Sequence, residues 1–268
     1  MDRAILINTG LGVYVQRLRE RIELVRSALS MPENTATISN DMISRHLLER
    51  LCRPGAVVVD IGAHIGSVVD GVRRHSQPSA VIAIEAMPDK AAALRRKFPD
   101  VAIHACAVGE EDGTVPFFVD VKSSGYSSLY STRNREADVR EITVPLRRLD
   151  DLLPSEMVDL MKIDVEGAEL GVLKGARSLI ERSQPVIMFE SGPEVRGDYT
   201  KEALFHWFDS MHYALLVPNR VAHNDDGLTL QSFVEAHLYP RRTTNYFAIP
   251  RTRRIEIRDR ARRILKIG

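Results

Sequence analysis

"AVVVDIGAHIGS", Ala56 to Ser67, decides how the fold is read. Its first half is β-branched and apolar at successive positions. A strand with one wet face alternates, so a run without alternation has both faces covered. Asp60 then closes the run, Gly62 turns the chain sharply, and Gly66 lets a following helix pack against the strand.

Outward from this stretch the pattern repeats. "AVIAIEA", "VAIHACAVG", "VDLMKIDV" and "PVIMFES" are short apolar runs, and helical stretches such as "MPDKAAALRRKF" and "AELGVLKGARSLIERS" separate most of them. Strand–helix alternation predicts an α/β, doubly wound, mostly parallel sheet. "HYALLVPN" and "NYFAIPR" are divided by a polar insertion and read as a closing antiparallel pair. Upstream, Tyr14, Leu18, Ile22, Val25 and Leu29 form one stripe of a helix flanked by Arg17, Arg19, Arg21 and Arg26. A helix packed on the domain with a solvated basic face is expected, with a lid or dimer contact as the other reading. "MPENTA" breaks it, and "ISNDMISRHLLERLCRPG" supplies a second helix, stopped at Pro54-Gly55. The organisation expected is a helical extension over 1–54, one α/β domain over 55–250 and a basic tail over 251–268.

The chain has 268 residues, 44% hydrophobic and 27% charged, with a net charge of +1. Such a balance argues against a wholesale nucleic-acid binder. Cys52 and Cys106 have no metal-site spacing and read as core residues of a reducing compartment. Neither a secretory leader nor a membrane span is evident, so a cytoplasmic location is expected.

In an open parallel sheet, ligands bind beyond the carboxyl ends of the strands. The loop there, "DIGAHIGS", departs from the dinucleotide fingerprint, because His64 stands where backbone would approach a pyrophosphate. Asp60 would also repel a phosphate. A ligand with an ammonium group and no phosphate suits the loop, and S-adenosylmethionine fits, its carboxylate going to the helix N-terminus. Glu85 ends the next strand, placed to accept both ribose hydroxyls. Cys106, Ala107 and Val108 are small and apolar, suited to one face of adenine, with Asp112 at its edge or in a plain turn.

With these pieces in place, the chain resembles the FkbM family of S-adenosylmethionine-dependent methyltransferases over roughly Gly55 to Pro250. "DLMKIDVEGAELGVLKGA" is similar to that family's hallmark stretch. "VVVDIGAHIG", "AIEAMPDKAAALRRKF", "ACAVGEEDGTV", "SSL", "VPLRRLDDLL", "VIMFE" and "NYFAIP" follow in the family's order. Two positions depart: His64 and Lys97-Phe98 stand where the family commonly has Asn. The resemblance implies a class I methyltransferase fold, with an antiparallel final strand in a seven-stranded sheet. It also implies a donor site formed by Asp60, Gly62, Ala63, His64, Gly66, Glu85, Ala86, Ala107, Val108 and Ser128. Acceptors in the family are hydroxyls on sugars of glycolipids or signalling glycans, or on polyketide natural products.

An alcohol is a poor nucleophile until its proton is removed or a metal polarises it. Asp164 and Glu190 end the fourth and fifth main strands, which this topology sets side by side over the donor. In one reading a carboxylate of this pair is the general base, its pKa raised by burial and like-charge repulsion. In the other, Asp164, Glu190 and Glu166 hold a divalent cation such as Mg2+. Lys162 faces the same side of the sheet as Asp164, to pair with it or keep it ionised. Glu169 is divided between helix-dipole stabilisation and acceptor binding. His64, His206, His212 and His223 offer bases by chemistry alone, with nothing to single one out. "KSSGYSSLYSTRNRE", Lys122 to Glu136, is expected to lie over the donor or acceptor through Ser127, Ser128, Leu129, Tyr126 and Tyr130.

The favoured reading is an O-methyltransferase with a small-molecule or glycan acceptor and no nucleic-acid partner. Its rivals are a nucleic-acid methyltransferase on the same fold and an inactive cofactor-binding protein. The tail "RTRRIEIRDRARRILKIG" carries eight Arg or Lys against two acids. It reads as a solvated helix or as a peripheral contact with an anionic inner-membrane surface. The oligomeric state stays open.

Overall fold

The computed structural model describes residues 18, 22–120, 139–192 and 199–267. Among these residues ten strands form two sheets. The main sheet takes β1 (Val57–Ile61), β2 (Ala80–Ile84), β3 (Ala102–His104), β7 (Leu160–Ile163), β8 (Val186–Glu190), β9 (Tyr213–Leu216) and β10 (Asn245–Pro250), in the order β3-β2-β1-β7-β8-β10-β9. All its pairings are parallel except those of β10, which runs antiparallel to both β8 and β9. This is the doubly wound, mostly parallel seven-stranded sheet expected, closed by its antiparallel last strand.

The reason the strands read as apolar throughout is now visible. Val59, Ile61, Met161, Ile163, Ile187 and Phe189 point to one face, under α4 (Glu169–Gly175), α5 (Arg177–Ser183), α6 (Lys201–Ser210) and α7 (Leu230–Glu235). Their neighbours Val58, Leu160, Val186, Met188 and Phe247 point to the other face. There they meet α1 (Thr35–Leu51), α2 (Ser67–Ser76) and α8 (Arg254–Leu265). Each large side chain so buried contributes about 1.5–3 kcal/mol. α3 (Pro88–Lys97) follows β2 and packs beside β3.

Three expectations change. "VAIHACAVG" is not one strand. β3 pairs with β2 at the sheet edge, whereas β4 (Ala107–Val108) leaves the main sheet and pairs with β6 (Val139–Arg147). β6 and β5 (Gly113–Asp120) complete a three-stranded sheet, order β4-β6-β5. Ala107 packs there with Phe117 and Val144, a small apolar cluster of its own. Second, residues 22–30 are helical, but the stripe expected to pack on the domain faces outward. Leu18, Ile22, Val25 and Leu29 are all exposed, Leu29 by 83%. The residue this helix turns inward is Ser27, whose hydroxyl donates to the Met31 carbonyl.

The third concerns the basic tail. α8 follows β10 after one tight turn, and its Ile257 and Ala261 are buried in the same core as α1. Arg254 fixes it by donating to the carbonyls of Val221, His223 and Asp225. The ragged apolar face therefore covers the sheet, and Ile255 is the large apolar side chain it leaves exposed. No helix among the described residues is long and apolar enough to cross a membrane.

Candidate active site

The site is built where β1 ends. Gly62 has φ +78, and a Cβ there would lie 1.9 Å from the Asp164 carbonyl oxygen, so the β1 and β7 ends touch through it. Gly66 has φ +76 and lies under the Phe98 ring, where a Cβ would come within 2.4 Å. Lys97 donates to the Ile65 carbonyl at 2.9 Å and lies over the Phe98 ring. Lys97 and Phe98 thus clamp the loop from outside. Glu85 ties β2 to it: one oxygen accepts from His64 N at 2.8 Å, the other from Met87 N at 2.9 Å. Both oxygens keep lone pairs for a ligand.

These ends surround a cavity of about 420 Å³, within the range of small-molecule sites. Gly62, Ala63, His64, Glu85, Ala86, Ala107 and Val108 line it, as do Cys106, Asp164, Glu166 and Glu190. Two expected contacts do not reach it. Gly66 is occupied with Phe98. Asp60 was read as facing the ligand's ammonium but is wholly buried behind the wall. The parallel register sets Asp60 beside Lys162, whose ammonium is 3.7 Å away, so the cation opposite it belongs to the chain. Asp112 is likewise engaged, accepting from Arg148 N at 2.8 Å. Tyr126, Ser127, Ser128, Leu129 and Tyr130 lie outside the described residues.

Asp164, Glu166 and Glu190 converge, with carboxylate oxygens within 4.8 Å of one another. Lys162 donates to Asp164 at 2.9 Å and to the Gly62 carbonyl at 3.1 Å. Burial opposes its charge, but Asp164 and Asp60 hold its pKa above the ordinary lysine value. Burial also opposes Asp164's charge. Lys162, with a hydrogen bond from Glu190, outweighs it and holds Asp164 below the usual range. Glu190 moves the opposite way: burial and then the Asp164 charge push its carboxyl far up. The rise in pKa expected for this pair therefore falls on Glu190, whereas Lys162 takes Asp164 the other way. Burial lifts Asp60 to about 6, with Lys162 opposing.

Glu166 reaches the cavity because its backbone takes φ +54, a turn closed by Glu169, which accepts from Gly167 N at 3.0 Å. Glu169 is buried, and the Tyr199 hydroxyl donates to its other oxygen. It is a latch for the loop carrying Glu166 and does not line the cavity. Of the histidines, His206 and His212 are exposed and His223 half-buried, away from the cavity. His64 alone of the four is in it.

Sequence reasoning missed several participants. Lys90 enters the cavity from the first turn of α3, and Phe117 supplies a ring from β5. Lys90 carried a signal, a cation close after the strand-end acid. Phe117 carried none, since nothing local shows that β5 folds back over the sheet. Next to Glu190, Ser191 accepts from Lys201 at 3.1 Å and is 2.9 Å from His237 Nε2, while His237 Nδ1 is 2.8 Å from the Phe233 carbonyl. This buried chain fixes the end of β8 from behind.

Residues 60–214 match the family described as "Methyltransferase FkbM domain". Similar proteins include "Methyltransferase 1" of Beauveria bassiana, 28% identical over 44% of this chain and 57% of that protein. "Methyltransferase sdnD" of Sordaria araneosa is 30% identical, over 44% of this chain and 59% of its own length. The chain thus spans less than two thirds of these two relatives. The "2-O-methyltransferase NoeI" of Sinorhizobium fredii is 26% identical over 63% of this chain and 73% of that protein. A crystal structure of methyltransferase FkbM from Methylobacillus flagellatus is 24% identical over 53% of this chain and 33% of its own, with a TM-score of 0.37.

Proposed function

The chain belongs to the FkbM methyltransferase family, and from that premise we propose that it is an S-adenosylmethionine-dependent O-methyltransferase. Its acceptor is a hydroxyl on a sugar or on a polyketide-type product. The observation that carries this reading is the convergence of Asp164 and Glu190 at the cavity wall with the Lys162 ammonium 2.9 Å from Asp164. Carboxylates and protonated carboxyls together suit an acceptor rich in hydroxyls, which both donate and accept.

The cavity suits the donor on grounds of its own chemistry. Glu85 presents an acceptor-only group for vicinal ribose hydroxyls, while Ala107, Val108 and Phe117 offer an apolar slot for a planar base. His64 Nε2 is buried there with no hydrogen-bond partner among the described residues, an atom that a ligand would complete. When bound, S-adenosylmethionine supplies an activated methyl on a sulfonium sulfur. The chain does the rest. Asp164, kept ionised by Lys162, accepts the hydrogen bond and then the proton of the acceptor hydroxyl. Glu190 hydrogen-bonds to Asp164 and so fixes which of its oxygens faces the acceptor. Much of the gain comes from this positioning.

The convergence of Asp164, Glu166 and Glu190 favours a second reading, in which they hold a divalent cation that polarises the hydroxyl. Lys162 already supplies a positive charge at Asp164, which places the metal-free reading first. Transfer of isotope from methyl-labelled S-adenosylmethionine to a panel of glycans, polyketides and RNA tests the class of acceptor. Label in glycan or polyketide supports the proposal, and label in RNA alone rejects it. Asp164→Asn keeps the shape and loses the charge, and should lower turnover by at least about 100-fold. Turnover lost to a chelator and restored by magnesium would select the metal version.

A further inference from the structure

The stripe on residues 22–30 faces outward, with nothing among the described residues over it. Ile22, Val25 and Leu29 are 58%, 61% and 83% exposed, and Leu18 continues the line one turn earlier. A contiguous apolar row left in water marks an interaction surface. The Tyr239 hydroxyl donates to Glu33, just past the end of this helix, and brings two more exposed apolar side chains, Leu238 and Tyr239, close to it. Thr37 donates to the Arg241 carbonyl and Asn40 to the Arg242 carbonyl, so the start of α1 holds this loop in place. The loop also leads to the site. His237 Nε2 is 2.9 Å from the hydroxyl of Ser191, and Asn245 pairs with Glu190 across β10 and β8. The apolar surface therefore borders the Glu190 end of the site.

Charge decides what covers it. In the sequence, Arg17, Arg19, Arg21 and Arg26 flank the stripe, and Arg26, among the described residues, is exposed. Glu23 lies one turn before the buried Ser27, on the side that turns inward. The steps of four, three and four from Leu18 to Leu29 would suit a two-helix seam. A second copy, however, would bring the flanking arginines against one another, and like charges along such a seam repel. A layer of anionic headgroups over an apolar interior answers both features: the stripe enters, and the arginines stay at the phosphates. We propose that residues 22–30, with Leu238 and Tyr239, dock the protein on the surface of an anionic lipid bilayer. The role expected of the basic tail thus passes to the other end of the chain, because α8 gives its apolar face to the core. Docking turns the Glu190 end of the site toward the lipid. This goes beyond the methyl-transfer reading and holds whatever the acceptor.

The test is sedimentation of the full chain with two kinds of vesicle. One holds phosphatidylglycerol and phosphatidylcholine in equal parts, the other phosphatidylcholine alone. The wild-type chain should sediment with the first and much less with the second. Raising salt from about 0.1 M to about 1 M should release it, since the Debye length shrinks from about 10 Å to about 3 Å. Val25→Asp with Leu29→Asp should abolish binding, and Arg26→Gln should weaken it about fivefold. Leu238→Asp should weaken it as well. These side chains face water, so melting midpoints and far-UV circular dichroism should match wild type and show that each variant is folded. Ile255→Asp, on the exposed side of α8, should bind as wild type does. Absence of wild-type binding, equal binding to both vesicles, or full binding by the double variant would overturn the proposal. So would loss of binding in Ile255→Asp alone. A lipid-free dimer that the double variant dissociates would overturn it too, and give the stripe to a second copy.

Discussion

A single missing Cβ joins the loop after β1 to the end of β7. At Gly62 any side chain would meet the Asp164 carbonyl at 1.9 Å, in a conformation unfavourable for L residues. Gly62→Ala should cost at least about 3 kcal/mol or displace Asp164, read as a lowered urea midpoint together with lost turnover. His237 illustrates a different cost. Burial and then Lys201 depress its pKa from 6.5 to about 4. As pH falls through 6.5 the unfolded chain takes up a proton that the folded chain still refuses. Stability is therefore full above 6.5 and is lost between 6.5 and 4, by about 3 kcal/mol for this one ring. Comparing unfolding free energies of wild type and His237→Gln at pH 7.5 and 4.5 checks it. A variant as acid-sensitive as wild type would refute the assignment.

Among elements, α8 carries the clearest prediction. Ile257 is buried between α8 and the sheet, so Ile257→Ala should destabilise by about 2–4 kcal/mol in chemical unfolding. A solvated tail would show no such loss. The elements were legible where period and length agree. β1, β2, β7 and β8 are continuous apolar runs between turn signals, and their ends carry Asp60, Glu85, Asp164 and Glu190 as read. Reading faltered where tertiary contacts decide. Ala102 to Val108 looks like one strand because its break at Cys106 is set by β6, nearly forty residues on. The stripe from Leu18 to Leu29 has helical spacing, but spacing does not say which way a helix turns. Asp60 shows the same limit within the site, since its partner Lys162 comes from another strand.

For the whole molecule, a ligand that binds only the folded state adds stability by mass action. S-adenosylhomocysteine at 100 times its dissociation constant should contribute about 2.7 kcal/mol. For a chain of this size that raises the melting midpoint by roughly 5–10 °C. Thermal scans across ligand concentration would show it, and a flat response would count against a donor site formed by the folded cavity.

The two faces of the sheet also have different histories during synthesis. The core under α4 to α7 is completed when β10 brings in Tyr246 and Ala248. The opposite face joins Leu47, Leu48 and Leu51 to Phe247, Ile257 and Ala261. A ribosome adding about 5–20 residues per second needs roughly 10–40 s to pass from one group to the other. For that interval the α1 side of the sheet lacks its last helix, which packs on α1 and β10, and a nascent chain stalled before residue 257 would offer that surface to chaperones. Pausing late in translation should therefore harm the yield of folded protein more than pausing early.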